Sequence, residues 1–243
     1  LRKKITQQEC TSIFELETDL LPVLFEMKTK GVRVDVEKAH QTKKDLTKIE
    51  ESLIQEIVKE TGVTVEPWVA TSVAKVFDAV GLPYSRTEKS GAPMFTKQFL
   101  ANNTHPIAQK IIKIREINKA NTTFVDTILE HSHNGRIHCD FHSLRSDGGG
   151  TVTGRFSSSN PNLQQIPARD PEIKKLIRGL FIPEEGHKWG SFDYASQEPR
   201  WLVHYCATLT GVDRHPQIDD VVKMYHEGNA DFHQMVADMA NIP

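Results

Sequence analysis

Long apolar runs are absent from this 243-residue chain. No stretch reaches the roughly 18 consecutive apolar residues of a membrane span, so no membrane role is expected. The N-terminus, Leu1-Arg2-Lys3-Lys4-Ile5, is basic, yet polar and charged residues follow where a signal peptide needs an apolar stretch. An intracellular, cytoplasmic setting is therefore expected. Cysteine is scarce as well: Cys10, Cys139 and Cys206 are odd in number and far apart, which suits reduced thiols better than a disulfide framework. Neither sign of charge dominates, and a net charge of −2 lacks the global basicity that first marks a nucleic-acid binder. The distribution says more. From Arg136 to Arg178 there are seven Lys/Arg (Arg136, Arg145, Arg155, Arg169, Lys174, Lys175, Arg178) against four acids (Asp140, Asp147, Asp170, Glu172), a local surplus of three.

What is present is ordinary in amount and informative in order. Hydrophobic residues make up 38% and charged residues 26%, enough for one large domain or two modest ones with a real core. The first half is written in helical period. Ser12 and Glu15 form a capping box before Ile13, Leu16, Leu20, Leu24 and Met27, and Gly31 stops that run. Asp35 can cap a second helix with the stripe Ala39, Leu46, Ile49, Leu53 and Ile57, up to Gly62. A short helix follows from Thr71 with Val73, Val76, Phe77 and Val80, ended by Gly81 and Pro83. Residues 84–95 read as a polar loop. Pro106 suits the first turn of a long helix that turns Ile107, Ile111, Ile114, Ile117, Val125 and Ile128 inward.

Near residue 134 the pattern changes. Asn134-Gly135 signals a turn, and residues 136–142 alternate as a strand does. Residues 143–170 are rich in Gly, Ser, Asn and Pro and carry little periodicity. A second strand is predicted over about 187–194, ending on Asp193 and leading into a helix capped by Ser196. Further helices are predicted near 217–227 and from Asp231 onward.

Three stretches carry candidate chemistry. In 151–167, with Gly148, Gly149 and Gly150 just before it, Gly154, small hydroxyls and Arg155 offer the N–H groups and planar cation that phosphodiesters recruit. It matches neither a phosphate-binding P-loop nor a dinucleotide fingerprint, and a flexible surface loop is the plain alternative. In 190–200, Asp193 ends a predicted strand with Glu198 five residues on, an arrangement that can present a carboxylate to a hard cation or simply cap a helix. His131, His133, His138, Cys139 and His142 could ligate a metal, but their spacing fits no finger or zincin pattern. The histidines read as solvent-facing strand residues, with His138 and His142 on one face and Cys139 pointing away.

The run Thr153-Gly-Arg-Phe-Ser-Ser-Ser-Asn-Pro-Asn-Leu-Gln-Gln-Ile-Pro167, then Phe192-Asp-Tyr-Ala-Ser-Gln-Glu-Pro-Arg200, resembles the family A DNA polymerases related to bacterial DNA polymerase I. Leu21-Pro-Val-Leu24 through Asp35, Ile114–Lys119 with Thr123-Phe124, and Asp231-Phe-His233 extend the resemblance over nearly the whole chain. The Gln-Glu-Pro-Arg ending is similar to the viral branch. Ala195 and Ser196 stand where the family usually has Ser-Gln, Gln197 where it has an apolar residue, and Gln165 where Asn is usual.

This resemblance implies an α+β fold, mainly α: a helical thumb over 1–134, then an incomplete palm with antiparallel sheet over 135–243, ending just before the fingers. It implies template-directed DNA synthesis from dNTPs onto a primer 3′-hydroxyl, with primer–template DNA as partner. Asp193 becomes the catalytic, metal-binding aspartate, and the Tyr194 carbonyl helps hold the nucleotide-side ion. Glu198 meets the sugar of the incoming nucleotide, and Arg200 supports the motif. Arg155, Asn162 and Gln164 contact the DNA. Two Mg²⁺ ions are implied, their site completed by residues outside this chain. The fingers and the second catalytic aspartate would come from a further segment of the same or another chain. Alone, these residues are expected to be inactive, and a non-catalytic DNA-binding fragment or a subunit of a split polymerase is the alternative.

Overall fold

The computed structural model describes residues 2–146, 149–167, 170–228 and 231–240. Contacts within the chain define two compact units, Leu1–Lys188 and Trp189–Pro243. The boundary expected at 134 falls inside the first. Among the described residues no helix is long and apolar enough to cross a membrane.

The first unit is built on two long helical runs. Asp35 accepts a hydrogen bond from the Lys38 N–H at 2.9 Å and so starts α3 (Val36–Thr61), which ends on left-handed Gly62. This is the cap and stop that the sequence predicts. Helix α6 (Pro106–Lys119) starts on Pro106, passes into a π-helical segment, Ala120–Val125, and continues as α7 (Asp126–Glu130). These runs share two cores. In the first, Ile57 of α3 and Ile107, Ile111 and Ile114 of α6 meet Val73, Val76 and Phe77 of α4 (Ala70–Ala79) and Leu100 of α5 (Lys97–Asn102). Phe77 sits among the Phe95, Phe99 and Tyr84 rings at centroid distances of 4.8, 6.2 and 6.3 Å. In the second core, Ala39 and Leu46 of α3 meet Ile117, Val125 and Ile128, with Ile137 and with Ile173 and Ile177 of α8 (Pro171–Arg178).

Asn121 is buried in the π segment and donates to Thr47 Oγ1 at 3.1 Å. The extra residue of a π turn keeps Val125 and Ile128 facing inward although Ile117 and Val125 are eight positions apart, where two α turns take about seven.

Several local expectations are corrected. Helix α2 (Thr11–Lys30) starts after Cys10 with no side-chain cap, because α1 (Arg2–Gln7) leads into it and Phe14 N already bonds to Cys10 O; Ser12 and Glu15 lie inside the helix. Of its stripe only Leu24 is buried. Residues 84–95 are not all loop: β2 (Ser85–Arg86) pairs with β3 (Pro93–Met94) around 87–92. The strand expected over 136–142 divides in two. Its first part, β5 (Arg136–Ile137), follows β4 (Ser132–His133) through Asn134 and Gly135, both at positive φ, and also pairs with β1 (Val32–Arg33). Its second part, β6 (Asp140–His142), pairs instead with β7 (Ser157–Ser159). All these pairings are antiparallel, and the fold is α+β, mainly α.

In the second unit the strand expected over 187–194 does not form. Extended backbone becomes a strand only when another segment takes its N–H and C=O groups, and none of the described residues does so for this stretch. Helices α9 (Gln197–Thr208), α10 (Ile218–His226) and α11 (Phe232–Met239) follow. Val203 and Ile218 are buried, and Asp231 caps α11 through the His233 and Gln234 N–H groups.

Candidate nucleic-acid interface

The loop between β6 and β7 is shaped by its own small residues. A Cβ on Gly150 would lie 2.2 Å from the Leu144 carbonyl oxygen, so only glycine allows the chain to double back there. Gly150 N–H donates to Ser157 Oγ at 3.0 Å, and the Thr151 hydroxyl donates to the Arg155 carbonyl at 2.8 Å. Arg155 is held at the loop's exposed edge, on backbone that is itself tied down. Asp147, Gly148, Ala168 and Arg169 lie outside the described residues.

Past β7 the chain turns sharply. Asn160 adopts φ 51, and Asn162 caps a short 3₁₀ turn, Leu163–Gln165. Asn162 Oδ1 accepts from Ser158 Oγ at 3.1 Å and from Gln164 N at 3.0 Å. Gln164 Nε2 returns to the Phe156 carbonyl at 3.1 Å. Leu163 and Ile166 rest on the second core and anchor the turn from below. Asn162 and Gln164 are thus brought together on one exposed turn that is closed internally by hydrogen bonds.

Residues the sequence did not single out hold this turn from outside. Asp140 accepts from Lys28 Nζ with one carboxylate oxygen and from Asn160 Nδ2 with the other, at 2.9 Å. Lys28 first, and then the Asn160 amide, hold the Asp140 carboxyl below the usual carboxylate range. His142, two residues along the strand, pairs its Nε2 with Ser159 Oγ at 2.8 Å. His138 Nδ1 meets the Lys28 carbonyl at 2.8 Å. His138 and His142 are therefore engaged in the structure, while His131 and His133 lie exposed. Among the described residues no group of three or more His, Cys, Asp and Glu side chains is placed to hold a metal ion.

The second unit carries the other candidates. Asp193 and Tyr194 lie exposed on the run before α9, beside Phe192, which is 97% exposed. Ser196 occupies the N-cap position but at φ 53, and it makes no capping hydrogen bond through its side chain, contrary to expectation. A left-handed residue lacks the extended backbone from which an N-cap hydroxyl reaches the first-turn N–H groups. Arg200 closes the turn instead, donating from Nε to the Ala195 carbonyl at 2.9 Å while its guanidinium covers the Tyr225 ring at 5.1 Å. Glu198 stands exposed in the first turn of α9, where a carboxylate suits the helix dipole.

A sequence model of DNA polymerase family A matches residues 36–242. The DNA-directed DNA polymerase of Pseudomonas phage M6 is 34% identical to this chain, over 99% of it and 38% of its own length. DNA polymerase DpoZ of Acinetobacter phage SH-Ab 15497 is 31% identical over 99% of this chain and 40% of its own. The thermostable DNA polymerase I of Thermus aquaticus is 33% identical over 92% of this chain and 26% of its own. Among solved structures, the POL domain of Pol1 from M. smegmatis, in complex with DNA primer-template and dNTP, aligns with a TM-score of 0.67 at 25% identity, covering 90% of this chain and 37% of its own. The chain thus spans about two fifths of the phage relatives it matches.

Proposed function

This chain belongs to DNA polymerase family A, and on that premise we propose that it forms the thumb (1–134) and part of the palm (135–243) of an enzyme that extends a primer along a template. The observation that carries the reading is the loop 149–166, an internally closed turn that presents Arg155, Asn162 and Gln164 to solvent within the family match. Groups that need no rearrangement on binding lose little entropy to the complex. In the reaction proposed, the primer 3′-oxygen bonds to the α-phosphorus of a dNTP and pyrophosphate leaves.

Family A DNA polymerases generally use divalent metal ions. An exposed Asp193 carboxylate next to the Tyr194 carbonyl offers the oxygen donors that a hard cation such as Mg²⁺ prefers, so these two residues fit such a site. Bound ions would activate the primer hydroxyl and offset the charge that develops on the leaving pyrophosphate. One carboxylate is fewer than a two-ion site uses, and the remaining donors are assigned to a segment outside these 243 residues. Asp193 and Tyr194 then hold one edge of the site, Glu198 stands against a ribose 2′-hydroxyl, and Arg155 steadies the DNA backbone. By itself the chain binds primer–template without extending it.

Asp193→Ala in the polymerase that contains this chain tests the reading. Nucleotide incorporation is expected to vanish while primer–template affinity stays within about twofold, because this carboxylate faces cations rather than phosphates. Incorporation retained within about tenfold of wild type would remove Asp193 from the chemistry.

A further inference from the structure

We propose that Asp140, held by Lys28, is a positioning residue that sets the turn 156–165 for the DNA; this rests on the primer–template reading above. Asp140 stands opposite Ser159 in the β6–β7 pair, and its free carboxylate oxygen reaches one residue further to take the Asn160 amide at 2.9 Å. Asn160 is the left-handed residue at which the chain leaves the strand for the turn that carries Asn162 and Gln164. On the same face of β6, His142 takes Ser159 at 2.8 Å. Two side chains two residues apart therefore grip both sides of the departure point.

Lys28 completes the device from the last turn of α2, 112 positions earlier in the chain. Its backbone is not loose. The Lys28 carbonyl meets His138 Nδ1 at 2.8 Å, and a Cβ on Gly31 would lie 2.6 Å from that same nitrogen, so the end of α2 lies directly against the segment leading into β6. Because both backbones are already fixed by other contacts, forming the ion pair has only the two side chains to order. Lys28 also cancels a negative charge that would otherwise repel phosphates close to the turn. Asp140 thus acts through Asn160, and through it on Asn162 and Gln164, and need not touch the DNA.

The test compares Asp140→Ala with Asp140→Asn in the polymerase that contains this chain. Both remove the charge, but only asparagine keeps an oxygen that can accept from Lys28, with an NH2 that can donate to the Asn160 side-chain oxygen once that amide turns over. Fluorescence anisotropy with a labelled primer–template is expected to show Asp140→Ala binding roughly fivefold more weakly than Asp140→Asn. In a Gln164→Ala background that gap should close, since both changes act through one turn. Hydrogen exchange of the amides in 156–165 should be faster in Asp140→Ala than in Asp140→Asn, with α3 unchanged. Equal affinities with equal exchange overturn the proposal, as does a gap that persists in Gln164→Ala. A wild-type protein that fails to bind primer–template overturns the DNA reading instead, and the exchange comparison still decides whether Asp140 holds the turn.

Discussion

Asn162 Oδ1 receives both the Gln164 main-chain N–H, at 3.0 Å, and the Ser158 hydroxyl, at 3.1 Å. Ser158 is only 6% exposed, so removing its acceptor leaves a buried hydroxyl unsatisfied. Asn162→Ala is expected to cost about 1–2 kcal/mol and lower the melting temperature by a few degrees. Asn162→Asp keeps the acceptor and most of that stability, yet places a negative charge where the proposed interface would meet DNA phosphates. Calorimetry and DNA binding on the two variants should therefore separate: alanine loses stability, aspartate loses affinity. A stable Asn162→Ala protein with unchanged affinity would remove the residue from both roles.

Arg155 lies exposed at the edge of the same loop. A cation that meets phosphate carries little base information, so Arg155→Ala should weaken binding about equally on all sequences. The slope of log affinity against log salt should fall by about 0.9, the value for one lost phosphate contact on a duplex. A titration from low to moderate salt on two unrelated templates checks both points. An unchanged slope would return Arg155 to the plain surface of the loop.

Glu198 occupies an exposed position in the first turn of α9. If it stands where a ribose 2′-hydroxyl must go, Glu198→Ala admits ribonucleotides by removing an obstruction that costs the deoxynucleotide little. Ribonucleotide incorporation should then rise by about two orders of magnitude or more, against a smaller loss with dNTPs. A glutamate that only complements the helix dipole predicts something else: about 0.3–1 kcal/mol of lost stability and no change in sugar discrimination. Incorporation efficiencies for both sugars on one template decide between them.

The Asp140 carboxyl is held below its ordinary range by Lys28 and then Asn160, and Glu184 likewise by Arg136, whose Nη2 lies 2.7 Å from both of its oxygens. Groups whose folded pKa is depressed add stability above their unfolded values, about 3.9 for Asp and 4.3 for Glu, and lose it as pH falls through the folded values. The gap in melting temperature between wild type and Asp140→Asn should accordingly stay level from about pH 8 to pH 5 and close below about pH 4. Solvent screening keeps it small, at most about 4 °C. A gap that grows on acidification would contradict the ion pair.

Much of the first unit was legible before any fold was in view. Asp35 and Gly62 mark helix ends through bonds to residues three or four positions away, Pro106 starts a helix by its fixed φ, and Ala39, Leu46, Ile57, Ile107, Ile111 and Ile114 are buried as their spacing predicts. A helix satisfies its own backbone locally, so local sequence suffices to place it. The two motifs were legible as well, because their residues are contiguous. Strands were different. Whether 136–142 is one strand or two, and whether 187–194 is a strand at all, depends on which distant segment offers hydrogen bonds, and alternation of side chains carries no information about that partner. Ile49 is nevertheless exposed, because at about 100° per residue it lies at the edge of the α3 stripe, roughly 60° round from buried Leu46. The hold on the turn 156–165 lay furthest from the sequence: Lys28, Asp140 and Asn160 are separated by 112 and 20 positions, and only the packing of α2 against β6 brings their charges and amide into one bridge.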